Sequence, residues 1–266
     1  MTIKRSYVDV SWGQVHCTAA GDRGPWIALF HESPLSGDVW SGVLEQLAPN
    51  ARVVAFDTPG YGASSPPAHR HVEITDYADV LASAVRAYGM TEPVLCGSHT
   101  GASLAIEVAH RVDGVRGVVL SGVPLYDAEE RAEHVAGWTP PIPIDLDGSQ
   151  FQWAVDRYHR NWPDLTPHLL HTAVVQLMRV AERYDWGYQA VFRHDAATPL
   201  AALDVPVLLL AAEYDMLADK DEIALQLATD ARLVPMPGLP GQAYLRDPEG
   251  YARALLEFTR GLAEAT

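Results

Sequence analysis

The sequence predicts an α/β fold: a mostly parallel central sheet flanked by helices, with a helical lid inserted after the sixth strand. Three observations predict it. Short apolar runs of strand length alternate with stretches whose apolar residues recur at helical spacing, from Trp26 to Val123 and again from Val205 onward. One long segment, 126–200, breaks that rhythm without offering a strand. A glycine pair, Gly97 and Gly101, frames the point where one strand gives way to a helix.

In chain order, runs 7–12 and 15–20 flank Gly13-Gln14 and read as an opening hairpin. Trp26–Phe30 is a short buried strand, 39–47 a helix and Arg52–Phe56 a strand. Residues 77–88 read as a helix capped by Thr75 or Asp76. Strand 93–97, helix 102–112 and strand 115–123 follow. After the insertion come strand 205–212, helix 221–228, strand 231–234 and a closing helix over 248–262. Repeated strand–helix alternation requires a sheet covered on both faces, because each crossover lays a helix on it. The division is therefore a core of 1–125 and 201–266 with a helical cap of 126–200. The cap holds ten of the 23 aromatic residues in 75 of 266 positions, an enrichment that fits either a small aromatic core or a pocket lining. Trp138, Trp153, Trp162 and Trp186 are the expected pocket residues.

Composition narrows the function. The net charge of −15 leaves nothing to neutralise a run of phosphates and opposes docking on an anionic membrane, so neither nucleic acid nor membrane is an expected partner. No apolar run approaches the roughly 20 residues of a membrane span, and the first residues lack an apolar signal core. Cys17 and Cys96 form neither a disulfide framework nor a metal cluster, which suits a reducing cytoplasm. Seventeen Arg against two Lys suggest a GC-rich bacterial source. His168 and His171 share a helical face, but a metal needs further ligands, so no metal or cofactor is expected. A small-molecule substrate is the expected partner, and the sequence leaves a homodimer open.

The stretch Cys96-Gly97-Ser98-His99-Thr100-Gly101 carries the most information. It has the strand–turn–helix context and the glycine spacing of a G-x-S-x-G elbow. Here the chain resembles the α/β-hydrolase family. Phe30-His31-Glu32-Ser33-Pro34 resembles the family's loop after the third strand, which helps build an oxyanion hole and whose His is structural. Asp57-Thr58-Pro59-Gly60-Tyr61-Gly62-Ala63-Ser64 resembles its D-x-P-G-x-G-x-S loop, and 208–215 its acid-bearing strand. The resemblance runs in order along nearly the whole chain and implies the α/β-hydrolase fold.

Two departures alter the implied chemistry. The elbow tip is His99, where the family has Ser, Cys or Asp, and Ser98 lies one position early, pointing away. The family's catalytic His is missing: Gln242 occupies its slot, and no His follows His194. A Ser–His–Asp order cannot be built. The acid position is kept as Asp215, preferred over Asp127 just past the sixth strand, with Glu213 earlier on the strand.

An imidazole at the tip reaches toward the place of the missing His. One nitrogen is expected on Asp215, leaving the other as an oriented base facing the pocket. The backbone N–H groups of Thr100 and Ser33 would form the oxyanion hole; Pro34 has none to offer. Glu32 and Gln242 are expected substrate contacts, and Glu32 a candidate second base. His134, His159 and His194 lie in the insertion and read as structural. The expected activity is lyase, isomerase or cyclase chemistry on a small hydrophobic or aromatic carbonyl compound of secondary metabolism, with His99 as general base. Hydrolysis by His99-activated water and ligand binding without catalysis are the alternatives.

Overall fold

A computed structural model describes residues 2–264. The sheet has eight strands in the order β1-β2-β4-β3-β5-β6-β7-β8. β1 (Lys4–Val10) and β2 (Gly13–Ala20) form an antiparallel hairpin, with Val10 opposite Gly13 and Lys4 opposite Ala19. The turn is Ser11-Trp12, not Gly13-Gln14 as expected. Trp12 leaves the strand to pack edge-on against Tyr77, at 5.7 Å between centroids. β2 pairs antiparallel with β4 (Arg52–Phe56), and every later pairing is parallel: β3 (Trp26–Phe30), β5 (Val94–Ser98), β6 (Gly117–Ser121), β7 (Val207–Ala212) and β8 (Ala231–Met236).

Strand alternation sorts the core into two layers. Ala28, Phe30, Leu95, Val118, Leu120 and Leu209 pack with α2 (Ile74–Ala87), α3 (Thr100–Ala109) and Ala224 of α9 (Ala218–Leu227). Ile27, Leu29, Cys96, Val119, Leu208 and Leu210 face the other way, onto α1 (Ser41–Leu47), α10 (Ala243–Arg246) and α11 (Pro248–Glu264). Central strands buried on both faces explain why their sequences are unbroken apolar runs.

Boundaries moved where side chains cap helices. α2 begins at Ile74, three residues before the expected start, because the Asp76 carboxylate accepts the N–H of Glu73 at 2.9 Å. Residues 37–40 form a 3₁₀ turn ahead of α1, so the helix read over 39–47 starts at Ser41. α3 starts at Thr100, directly after His99. Its tight seat needs the two glycines: a Cβ on Gly97 would overlap the Gly101 carbonyl, and one on Gly101 the Phe30 carbonyl.

Between β6 and β7 lie only helices: α4 (Ala128–Gly137), α5 (Ser149–Asn161), α6 (Pro167–Arg179), α7 (Asp185–Arg193) and α8 (Ala197–Ala201). Ala154 and Tyr158 of α5 and Ala173 and Leu177 of α6 join one core layer, and Ala190, Val191 and Phe192 of α7 join the other. The insertion thus straddles the carboxyl ends of the central strands, where the elbow emerges. No helix among the described residues is long and apolar enough to cross a membrane.

Candidate active site

His99 sits between the end of β5 and the start of α3 with φ 50° and ψ −114°, a conformation L-residues rarely adopt. The strain lifts the imidazole off the sheet, while Ser98 stays in the strand, 1 % exposed. Room for the ring comes from Gly122, just beyond β6: a Cβ there would lie 2.7 Å from His99 Nε2.

Asp215, beyond β7, receives His99 Nε2 at 2.9 Å on Oδ2 and 3.2 Å on Oδ1. Its Oδ1 also accepts the N–H of Leu217 at 2.8 Å. The expected partner is therefore in place. The other half of the expectation is corrected: Nδ1 does not open onto the pocket as a free base but lies 3.0 Å from Glu32 Oε2. A neutral imidazole has one N–H and one lone pair, so it serves one carboxylate well; an imidazolium donates to both. Burial works against charge on His99, but Asp215 and then Glu32 outweigh it and raise its pKa to about 9. Burial alone would raise Asp215, yet the His99 charge and hydrogen bond hold it below the usual carboxylate range. Glu32, 4 % exposed, is pushed upward by burial and by the Asp215 charge, against the pull of His99 and a hydrogen bond from Gln242. The three groups titrate as a unit.

Glu32 is aimed by its neighbour. His31 Nε2 accepts the N–H of Thr58 at 2.9 Å, so its Nδ1 carries the proton and donates to the Glu32 carbonyl at 2.9 Å. Burial lowers the His31 pKa and keeps it neutral.

A cavity of about 50 Å³ adjoins these groups, room for roughly three to five waters. Its floor is Glu32, Ser33, His99, Thr100 and Gln242. Gln242 holds a left-handed conformation, φ 43°, at the start of α10. Thr100 is the first residue of α3, whose N–H has no partner within the helix. The roof comes from the insertion: Trp138, Arg157, Tyr158, Trp162 and Tyr188.

Two expected pocket residues lie elsewhere. Trp153 packs edge-on against Tyr184, at 5.6 Å between centroids, behind Arg157. Trp186 lines a separate outer cleft with Arg70 and His71. Both were expected on aromatic content alone, which does not say which helix face turns inward. Asp127 caps α4, accepting the N–H groups of Glu129 and Glu130 at 2.8 and 2.9 Å. Glu213 Oε2 accepts the N–H of Gly238 at 2.8 Å. His134 packs among Tyr126, Trp138 and Phe192, and His194 pairs with Glu107 at 2.8 Å. The sequence reading missed Arg157, Tyr158 and Tyr188. A signal existed: Trp153, Ala154, Arg157, Tyr158 and Asn161 follow apolar helical spacing, with a charge where the stripe should be apolar.

A family model described as alpha/beta hydrolase fold matches residues 25–141. The chain is 23 % identical over 249 residues to a pimeloyl-[acyl-carrier protein] methyl ester esterase of Pectobacterium carotovorum, covering 88 % of this chain and 94 % of the relative. It is 28 % identical to a haloalkane dehalogenase of Mesorhizobium japonicum over 110 residues, 41 % of this chain and 35 % of the relative. Among solved structures, an esterase from Thermogutta terrifontis superposes with TM-score 0.79 at 20 % identity, covering 97 % of this chain and 99 % of the other. An enol-lactonase from Burkholderia xenovorans LB400 gives 0.79 at 17 %, covering 95 % and 99 %.

Proposed function

The chain has the α/β-hydrolase fold, and from that premise we propose that it is an enzyme of general acid–base chemistry without a covalent intermediate, acting beside the carbonyl of a small molecule. The observation that carries this reading is the His99 ring held between Asp215 at 2.9 Å and Glu32 at 3.0 Å, an arrangement that favours the imidazolium. With both ring nitrogens engaged, His99 is neither a nucleophile nor a base by itself. The base is the Glu32 carboxylate, which burial and the Asp215 charge make a stronger proton acceptor than an ordinary carboxylate. It takes a proton from the carbon next to the carbonyl. The electron pair moves onto the carbonyl oxygen, held by the N–H groups of Thr100 and Ser33. His99 donates to Glu32 and balances its charge, and Asp215 keeps His99 protonated and oriented. Return of the proton to another atom isomerises or cyclises the substrate; loss of a leaving group makes the reaction a lyase step.

Hydrolysis is the second reading, favoured by a cavity with room for water beside Glu32 and His99. A Glu32-activated water would then attack the carbonyl directly. Proton NMR in D₂O with a panel of small ketones, esters and oxo acids separates the two. Exchange of the proton next to the carbonyl, lost in Glu32→Gln, supports the first; ester cleavage without exchange supports the second. Ligand binding with neither would leave a binding protein on a hydrolase scaffold. A fluorophosphonate should leave the buried Ser98 unlabelled; full labelling would restore serine chemistry.

A further inference from the structure

The cavity roof contains a charge with no counter-charge. Arg157 of α5 is 6 % exposed. Among the described residues it makes no ion pair, in a chain with 34 acidic and 19 basic residues. Surface arginines here find carboxylates readily: Arg70 meets Asp185 at 2.8 Å and Arg193 meets Glu73 at 2.9 Å. Arg157 instead donates Nη1 to the Trp138 carbonyl at 3.2 Å, and its buried Nη2 has no partner. Rings of Trp138, Trp153, Tyr184 and Tyr188 stand 5.6–5.9 Å from the guanidinium carbon. These rings hold the group by cation–π attraction without neutralising it. A buried charge left unpaired is costly, and a fold tolerates it where a ligand completes the pair. The hydroxyl of Tyr158 and the indole N–H of Trp138, both on the same cavity, are also buried without partners.

We propose that Arg157 is the anchor for a carboxylate on the substrate, so that the molecule processed beneath it is a small oxo acid or acid ester. The assignment rests on the acid–base reading and extends it by naming the substrate class. The free edge of the guanidinium fork offers N–H donors to a planar carboxylate, and Tyr158 and Trp138 supply further donors. The carbonyl lies below, toward Thr100 and Ser33, with the adjacent carbon toward Glu32.

Binding tests the anchor without needing turnover. Fluorescence of Trp138 and Trp162 and the melting temperature are followed against pyruvate, 2-oxobutyrate and succinate, with methyl pyruvate and inorganic phosphate as controls. Wild type should respond to the carboxylates and not to methyl pyruvate. Arg157→Met should bind about 10- to 100-fold more weakly, and Arg157→Lys should retain part of the affinity. Glu32→Gln, which removes the proposed base, should bind at least as well, so loss of chemistry and loss of the anchor give different patterns. Without ligand, Arg157→Met should melt no lower than wild type, since it removes an unneutralised charge. Equal binding of methyl pyruvate, tighter binding of phosphate than of any carboxylate, no response to any carboxylate, or full affinity in Arg157→Met would each overturn the assignment.

Discussion

His31 and Glu32 are adjacent in sequence and belong to opposite kinds of buried histidine–carboxylate cluster. In the first cluster every polar group is matched. Asp57 accepts the N–H of Gly37 at 2.7 Å, that of Ala63 at 2.8 Å and His16 Nδ1 at 2.9 Å, while both nitrogens of His31 are spoken for. That cluster ties the loop after β3 to the loop after β4. In the second, two buried carboxylates compete for one imidazole within hydrogen-bond reach, and the cluster lines a cavity. Burial and short distances are common to both. Competing protonation states and access to a ligand are what separate the proposed site from a structural joint.

The largest expected effect is on catalysis. His99→Ala and Glu32→Gln should each reduce exchange next to the carbonyl by about 10²- to 10⁴-fold. Asp57→Asn should leave the rate per folded molecule nearly unchanged. If Asp57→Asn abolishes turnover in a folded protein, the division between the clusters fails. In the intact enzyme, activity should fall above about pH 9, where His99 loses its proton and Glu32 its counter-charge.

Stability should reverse the ranking. Asp57→Ala removes the shared acceptor of two backbone amides and a histidine, and breaking such a buried network costs about 3–5 kcal/mol. Urea midpoints at pH 7 measure it. A loss below about 1 kcal/mol would mean that water replaces the carboxylate.

The pH dependence of stability sharpens the contrast, because the clusters have opposite slopes. His99, raised to about 9, contributes stability that is full below its unfolded value of about 6.5 and is lost as pH rises toward 9. Glu32 is also raised, and Asp221 is raised to about 7 by burial and the Asp215 charge, so both lose stability in the same direction from the carboxylate range upward. His31 is lowered by burial, so its contribution is full above about 6.5 and lost as pH falls. Asp215, lowered, loses its contribution only in acid. Unfolding free energy should therefore fall between pH 6.5 and 9, by at most about 1.4 kcal/mol per pH unit for the one proton on His99, and His99→Ala should flatten that limb. An unchanged slope in His99→Ala would show that its proton is not held by the fold.

The smallest effect expected is that of Asp127→Ala. It removes a helix cap and should lower the melting temperature slightly with no change in rate. A rate loss like that of His99→Ala would make Asp127, and not Asp215, the acid of the site.

Much of this was legible in the residues. The strand–helix alternation and the glycines around His99 follow from local rules: apolar period and turn chemistry act over a few residues, while the resemblance to the α/β-hydrolase family implied the positions of Asp215 and Gln242. Helix starts set by side-chain caps were displaced by a turn, as at Ile74, because a cap depends on which side chain reaches back. What only the tertiary structure decided was partnership across the chain. Glu32 and Asp215 meet His99 because the parallel strands β3, β5 and β7 all deliver their following loops to the carboxyl end of the sheet. No periodicity in the sequence says which nitrogen faces which carboxylate. Likewise, aromatic content marked the insertion, but the face of α5 turned to the cavity carries Arg157 and Tyr158 and not Trp153. A helix rotation of one residue, about 100°, exchanges lining for support, and packing against the core sets that rotation.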